Sequence, residues 1–118
     1  MRALLLVGAS GSGKDTLLRA ARAHFHSTTG LGFVRRYITR PPDAHEDNYF
    51  ISAAGFAELV RTGFFISHWQ AHGLHYGIGR TDFCASGQPT VLASVSRSAI
   101  ADFERVCDDV TTILVEVD

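Results

Sequence analysis

Short apolar runs alternate along the chain with segments whose hydrophobic residues recur every three or four positions. Ala3 to Val7 is a continuous apolar run, the pattern of a strand buried on both faces. From Lys14 to Phe25 the residues Leu17, Leu18, Ala21 and Phe25 share one face of a predicted helix, and Arg19 and Arg22 point elsewhere. Gly30 and Gly32 mark a turn, and Phe33 to Ile38 predicts a strand. Pro41 and Pro42 exclude regular structure from Thr39 to Asp47, which reads as an exposed loop. Tyr49 to Ile51 predicts a short strand. Ser52 then caps a helix running to about Thr62, with Phe56, Leu59 and Val60 inward. Phe64 to Gln70 and Leu74 to Ile78 predict strands around a turn at Gly73, and Thr81 to Ser86 a short helix ending at Gly87. Val91 to Val95 predicts a strand, Ser98 to Cys107 a helix, and Thr111 to Val117 a last apolar strand.

Strands alternate with helices at both ends, and a strand-rich stretch at about 33–80 lies between them. The pattern predicts one α/β domain over 1–118: a parallel sheet flanked by helices, with a small strand-rich insert that binds a substrate. A length of 118 residues suits one domain and hardly two. The sequence stops just after a strand, where an α/β core continues into another helix, so a partial domain lacking its C-terminal helix is expected.

Composition narrows the classes. With 46% hydrophobic and 19% charged residues, a packed core is expected. A net charge of -1 gives no bulk attraction to nucleic acid or membrane, so neither is expected as a partner and any anion site must be built locally. Cys84 and Cys107 lack metal or redox spacing and read as reduced thiols of a cytoplasmic protein. No apolar run approaches the ~20 residues that span a bilayer. The start, MRALLLVGAS, is too short for a signal peptide and flows straight into a glycine loop.

That loop, GASGSGKDT, carries the chemistry. Gly8, Gly13 and Lys14 fit the phosphate-binding pattern G-x-x-x-x-G-K-[ST], between a predicted strand and a predicted helix as the motif requires. Gly8, Ala9, Ser10, Gly11, Ser12, Gly13, Lys14, Asp15 and Thr16 would bind ATP. Backbone N–H groups from Gly11 to Lys14 would cradle the phosphates, and Lys14 would neutralise the β- and γ-phosphates. The pattern asks for a hydroxyl after the lysine to meet Mg2+, and this chain has Asp15, with Thr16 one step on. A carboxylate is a good magnesium ligand, so Asp15 is the candidate metal residue. The cost is a negative charge beside the nucleotide. A glycine-rich turn that binds nothing is the bland alternative, and the strand before and helix after the loop argue against it.

The order of motifs resembles the guanylate kinase superfamily of P-loop kinases, in YITRPP (Tyr37 to Pro42), DNYF (Asp47 to Phe50) and GLHYG (Gly73 to Gly77). One branch is closer. Ribose 1,5-bisphosphate phosphokinases, of phosphonate catabolism, resemble this chain in G-x-S-G-S-G-K-D-[ST], R-Y-I-T-R and W-x-A-x-G-L-x-Y-G, here Gly8 to Thr16, Arg36 to Arg40 and Trp69 to Gly77. The aspartate after the lysine is a feature of that branch. The resemblance implies an ATP- and Mg2+-dependent kinase that makes 5-phosphoribosyl diphosphate from a small sugar phosphate. It also implies that the lid of the superfamily lies beyond Asp118. The guanine-recognising carboxylates of guanylate kinases are missing: FIS (Phe65 to Ser67) and VLASVS (Val91 to Ser96) stand in their places. Arg36 takes the place of a base-contacting serine, and Arg97 follows the altered strand. Arginines in place of carboxylates suit an acceptor with two phosphates and no base.

The resemblance therefore implies Lys14, Asp15 and Arg40 as catalytic residues and Arg36, Arg40, Tyr76, His72 and Arg97 as substrate-binding residues. Several neighbours carry weaker signals. Arg35 joins Arg36 and Arg40 in a basic cluster beside the proline loop, with a solvated strand edge as its bland alternative. His68, His72 and His75 lack ligand spacing for zinc, and His72 and His75 read instead as lining a substrate pocket. Glu46, Asp47 and Asn48 read as facing a sugar hydroxyl or metal-bound water, or as a solvated loop. Trp69 reads as core. Two other functions stay open: a guanylate-type nucleoside monophosphate kinase, and a non-catalytic phosphate-binding remnant.

Overall fold

The computed structural model describes residues 1–9, 12–27, 29–41 and 48–116. The core sheet is parallel, in the order β2–β7–β1–β8, built from β1 (Arg2–Val7), β2 (Leu31–Phe33), β7 (Thr90–Ser94) and β8 (Asp109–Leu114). A second sheet, in the order β4–β3–β6–β5, joins β3 (Tyr37–Ile38), β4 (Tyr49–Phe50), β5 (Phe65–Ala71) and β6 (Leu74–Gly79). Its β5 and β6 form an antiparallel hairpin, closed by His72 and Gly73 at φ 54° and 75°, the pair of left-handed residues that a tight hairpin turn needs.

Helices α1 (Lys14–Phe25), α2 (Ala53–Arg61), α3 (Arg80–Cys84) and α4 (Ile100–Val106) complete the fold, with a single 3₁₀ turn at Arg97–Ala99 before α4. Inward residues Ala3, Leu5, Val7, Val91, Ala93 and Val95 of the core sheet are fully buried or nearly so, and pack with Phe83 of α3, Phe103 of α4 and Ile78 of β6. Burying one such side chain contributes roughly 1.5–3 kcal/mol. Ser52 caps α2 as its sequence predicts, its Oγ accepting from Gly55 N at 3.1 Å.

Four expectations need correction. The run Phe33 to Ile38 is not one strand. It leaves the core sheet after Phe33, crosses at Val34 to Arg36, and enters the second sheet at Tyr37, because the chain must change layers there. The apolar stripe of α1 meets the sheet only in part: Leu18 and Ala21 are half-buried, but Leu17 and Phe25 are 44% and 40% exposed. In α2 only Phe56 is buried, and Val60 stays exposed, since the insert is thin and Phe56 alone reaches the aromatic layer by stacking on Phe65. Strand β8 starts two residues early, and as an edge strand it leaves Ile113 and Leu114 exposed; Val117 lies outside the described residues.

Candidate functional site

The crossovers from β1 through α1 to β2 and from β7 through α4 to β8 leave the sheet in opposite directions. A crevice therefore opens at the carboxyl ends of β1 and β7, the position where open α/β sheets bind ligands. A cleft of about 770 Å³ lies there. One wall is the glycine loop after β1, and the other comes from the second sheet and from the turn after β7.

The loop wall is local. Gly13 sits at φ 92°, ψ 12°, a left-handed turn that starts α1 without any side-chain cap, so the first N–H groups of the helix are left to a ligand. Ser12 N donates to Ala9 O at 3.1 Å, folding the loop back on itself. Ser12 Oγ is buried and lacks a partner among the described residues, which suits a hydroxyl that donates to a phosphate. A side chain at Gly8 would place its Cβ 2.5 Å from Val115 O, so only glycine fits. Lys14, Asp15 and Thr16 line the cleft. Burial, reinforced by Arg36 and opposed by Asp15, holds the Lys14 ammonium below the usual lysine pKa. Ser10 and Gly11 lie outside the described residues.

The other wall is assembled from distant segments. Arg36 is 8% exposed. Its Nη2 donates to Asp15 Oδ1 at 3.1 Å, its Nε points to Asn48 Oδ1 at 3.5 Å, and its guanidinium lies 5.2 Å from the centre of the Tyr76 ring. Tyr76 in turn stacks on Trp69, with ring centres 5.9 Å apart and planes 5° from parallel. Trp69 thus packs against the core, as its sequence suggests, and also lines the cleft. Arg40, His72 at the hairpin tip, and Arg97 at the start of the 3₁₀ turn complete the wall. The candidates Arg36, Arg40, His72, Tyr76 and Arg97 therefore share one cleft with Lys14, Asp15 and Thr16.

Strand alternation sorts the remaining candidates. His75 does not line the cleft: it faces away from Tyr76 and meets the Phe56 ring at 5.3 Å. Arg35, in the crossing between the two sheets, does not line the cleft and lies over the Tyr49 ring at 5.8 Å. Ser67, at a base-recognition position in the resemblance, is buried and donates to Asp102 Oδ2 at 2.6 Å. Glu46 and Asp47 lie outside the described residues. Asn48 bonds Arg36, a contact between side chains twelve positions apart that no spacing rule reveals. The same holds for the Arg36–Asp15 pair across twenty-one positions, and for Ala71 and Ser96, which line the cleft without any chemical signature. Among the described residues no group of three or more His, Cys, Asp or Glu could hold a metal ion.

No protein-family model matches the chain. Curated proteins do. A ribose 1,5-bisphosphate phosphokinase of Rhodopseudomonas palustris is 40% identical over 116 residues, 97% of this chain. One from Methylobacterium radiotolerans is 47% identical over 102 residues, 83% of the chain. One from Azotobacter vinelandii is 40% identical over 99% of the chain. In sequence, the chain is similar to these three ribose 1,5-bisphosphate phosphokinases. It spans 59%, 56% and 64% of the length of those three relatives. In shape it matches guanylate kinase from Anaplasma phagocytophilum, with a TM-score of 0.70 over 95% of this chain and 57% of that one, at 19% identity. That likeness establishes a guanylate kinase-like α/β fold and no more. No helix among the described residues is long and apolar enough to cross a membrane.

Proposed function

We propose that this chain carries the nucleotide and acceptor sites of a ribose 1,5-bisphosphate phosphokinase, which transfers the γ-phosphoryl group of ATP to the 1-phosphate of ribose 1,5-bisphosphate, giving 5-phosphoribosyl diphosphate and ADP in the cytoplasm. The observation that carries the reading is a phosphate loop facing a buried arginine across one cleft, with Ser67, at a guanine-recognition position of the resemblance, turned to Asp102. The loop N–H groups, Ser12 and Lys14 hold the polyphosphate. Arg36, Arg40 and Arg97 hold the phosphates of the acceptor, with Tyr76 and His72 at its edge. The attacking atom is an already ionised phosphate oxygen, so no strong general base is needed. Catalysis rests on alignment, on neutralising charge as the phosphoryl group moves, and on excluding water.

Magnesium fits this site as an ion that arrives with ATP. It is ordinarily held by one or two carboxylates plus substrate phosphates, and the cleft offers the Asp15 carboxylate, with one oxygen on Arg36, and the Thr16 hydroxyl. When bound, the ion would neutralise developing phosphate charge.

Calorimetry on the purified chain tests the acceptor. Ribose 1,5-bisphosphate should bind more tightly than ribose 5-phosphate and more tightly than GMP. Equal or tighter GMP binding would transfer the reading to a nucleoside monophosphate kinase.

A further inference from the structure

A carboxylate directly after the phosphate-binding lysine is an electrostatic problem, because it sits where a polyphosphate must settle. The structure holds a counter-charge. Arg36 Nη2 donates to Asp15 Oδ1 at 3.1 Å, and in this pair the arginine side chain is 10% exposed against 42% for the aspartate. The cation is the anchored partner. Asn48 Oδ1 lies 3.5 Å from its Nε and the Tyr76 ring 5.2 Å from its guanidinium, so it cannot leave the carboxylate without giving up both. Five N–H donors sit on a guanidinium, and Asp15 and Asn48 use two of them, which leaves donors for an acceptor phosphate. Lys14 feels the same field: after burial, Arg36 is the next largest cause of its lowered pKa.

We propose that Asp15 and Arg36 act as one charge-compensated unit, so that Arg36, on the acceptor wall, is also a residue of the ATP site: it neutralises the carboxylate that this loop carries in place of a hydroxyl. The inference rests on the loop being a nucleotide site, as argued above. It makes Arg36 a positioning and charge-balancing residue for ATP, whatever it also does for the acceptor. It accounts for an acidic residue in the loop without assigning the whole burden to a metal.

The test is a double-mutant cycle on ATP binding to the full chain, by calorimetry in EDTA so that no metal contributes. Arg36→Ala should weaken ATP binding about 10-fold or more, because it exposes the Asp15 charge to the triphosphate. Asp15→Asn alone should bind ATP as tightly as the wild type or more so. The double variant should recover to within about 3-fold of Asp15→Asn, the suppression that marks a coupled pair. Arg36→Lys, which keeps the charge, should keep most of the affinity. If Arg36→Ala does not fold by circular dichroism, Arg36→Gln takes its place with the same expectations. A double variant that binds no better than the arginine variant overturns the inference, and so does an arginine variant that binds like the wild type. Wild-type chain that fails to bind ATP would instead overturn the nucleotide reading itself, and this inference with it.

Discussion

The two walls of the cleft are built in opposite ways. The loop wall comes from one short run, the turn after β1 and the first turn of α1, and it is shaped by a left-handed Gly13 and by a Gly8 too close to Val115 O to carry a side chain. The arginine wall draws on three separate stretches of chain, Arg36 to Arg40, the β5–β6 hairpin with its tip, and the turn after β7. A phosphate tail common to all nucleotides can be met by backbone N–H groups, and these need only a short run of sequence. An acceptor must be told apart from its analogues, and that takes side chains that converge from far along the chain. The loop wall should therefore fail through single residues, and the arginine wall through the contacts that hold its residues together.

The largest expected effect tests the loop wall. Lys14→Ala should weaken ATP binding by roughly 10- to 150-fold, the loss of one charge-assisted interaction. Calorimetry measures it, and an ATP-induced thermal shift equal to that of the wild type would show that the loop is not a nucleotide site. Next is Gly8→Ala. Its Cβ would stand 2.5 Å from a backbone oxygen that cannot rotate away, so the loop and the strand end must move apart. Such overpacking should cost about 1–3 kcal/mol in urea denaturation. A stability unchanged by this substitution would mean that the loop is less constrained than its geometry implies.

The difference between the walls also explains what could be read from the sequence. The order of strands and helices, the start and end of α1, and the Ser52 cap are local properties, and apolar spacing plus one capping residue specify them. The gathering of Arg36, Tyr76 and Arg97 beside Lys14 was legible only through motif order, which stands in for the tertiary packing. The break at Val34 to Arg36 was not legible, because a run of strand-forming residues looks the same whether it stays in one sheet or passes to another. The exposure of Leu17 and Phe25 was not legible either, since helical spacing says which residues share a face but not how much of that face is covered. Nor does spacing pair Asp15 with Arg36, or turn Ser67 toward Asp102: both depend on which faces meet after the sheets pack.

Ser67 sharpens the comparison with a smaller effect. Sequence order places it at a base-recognition position, whereas the structure makes it a strut between β5 and α4. Ser67→Ala should lose about 1 kcal/mol of stability, the worth of one hydrogen bond, because Asp102 keeps its bond to Arg105 at 2.6 Å. The same variant should bind ATP and the bisphosphate like the wild type. A clear loss of acceptor affinity would return Ser67 to the recognition surface.

The smallest expected effect appears only in alkali and concerns how the second sheet is held. Tyr37 of β3 pairs with both β4 and β6, and its phenol is close enough to Asp82 of α3 to feel that carboxylate's charge. Burial first, then the charge of Asp82, push the Tyr37 phenol up from 10.0 to about 12. The sign follows from which state ionises first. Below pH 10 both folded and unfolded chains keep the proton, and the contribution of this contact is fully present. Between pH 10 and about 12 the unfolded chain releases its proton while the folded chain retains it, so stability falls as pH rises. Tyr37→Phe has no proton to release. The stability of the wild type relative to Tyr37→Phe should therefore hold steady below pH 10 and fall steadily from pH 10 upward. Paired urea titrations at several pH values measure this difference directly, and other alkaline ionisations common to both proteins cancel. A difference that stays constant through pH 11 would show that the Tyr37 phenol is not held protonated by burial and the Asp82 charge. ATP binding at neutral pH should be the same in both proteins, because Tyr37 lies outside the cleft and Tyr37→Phe removes only a hydroxyl.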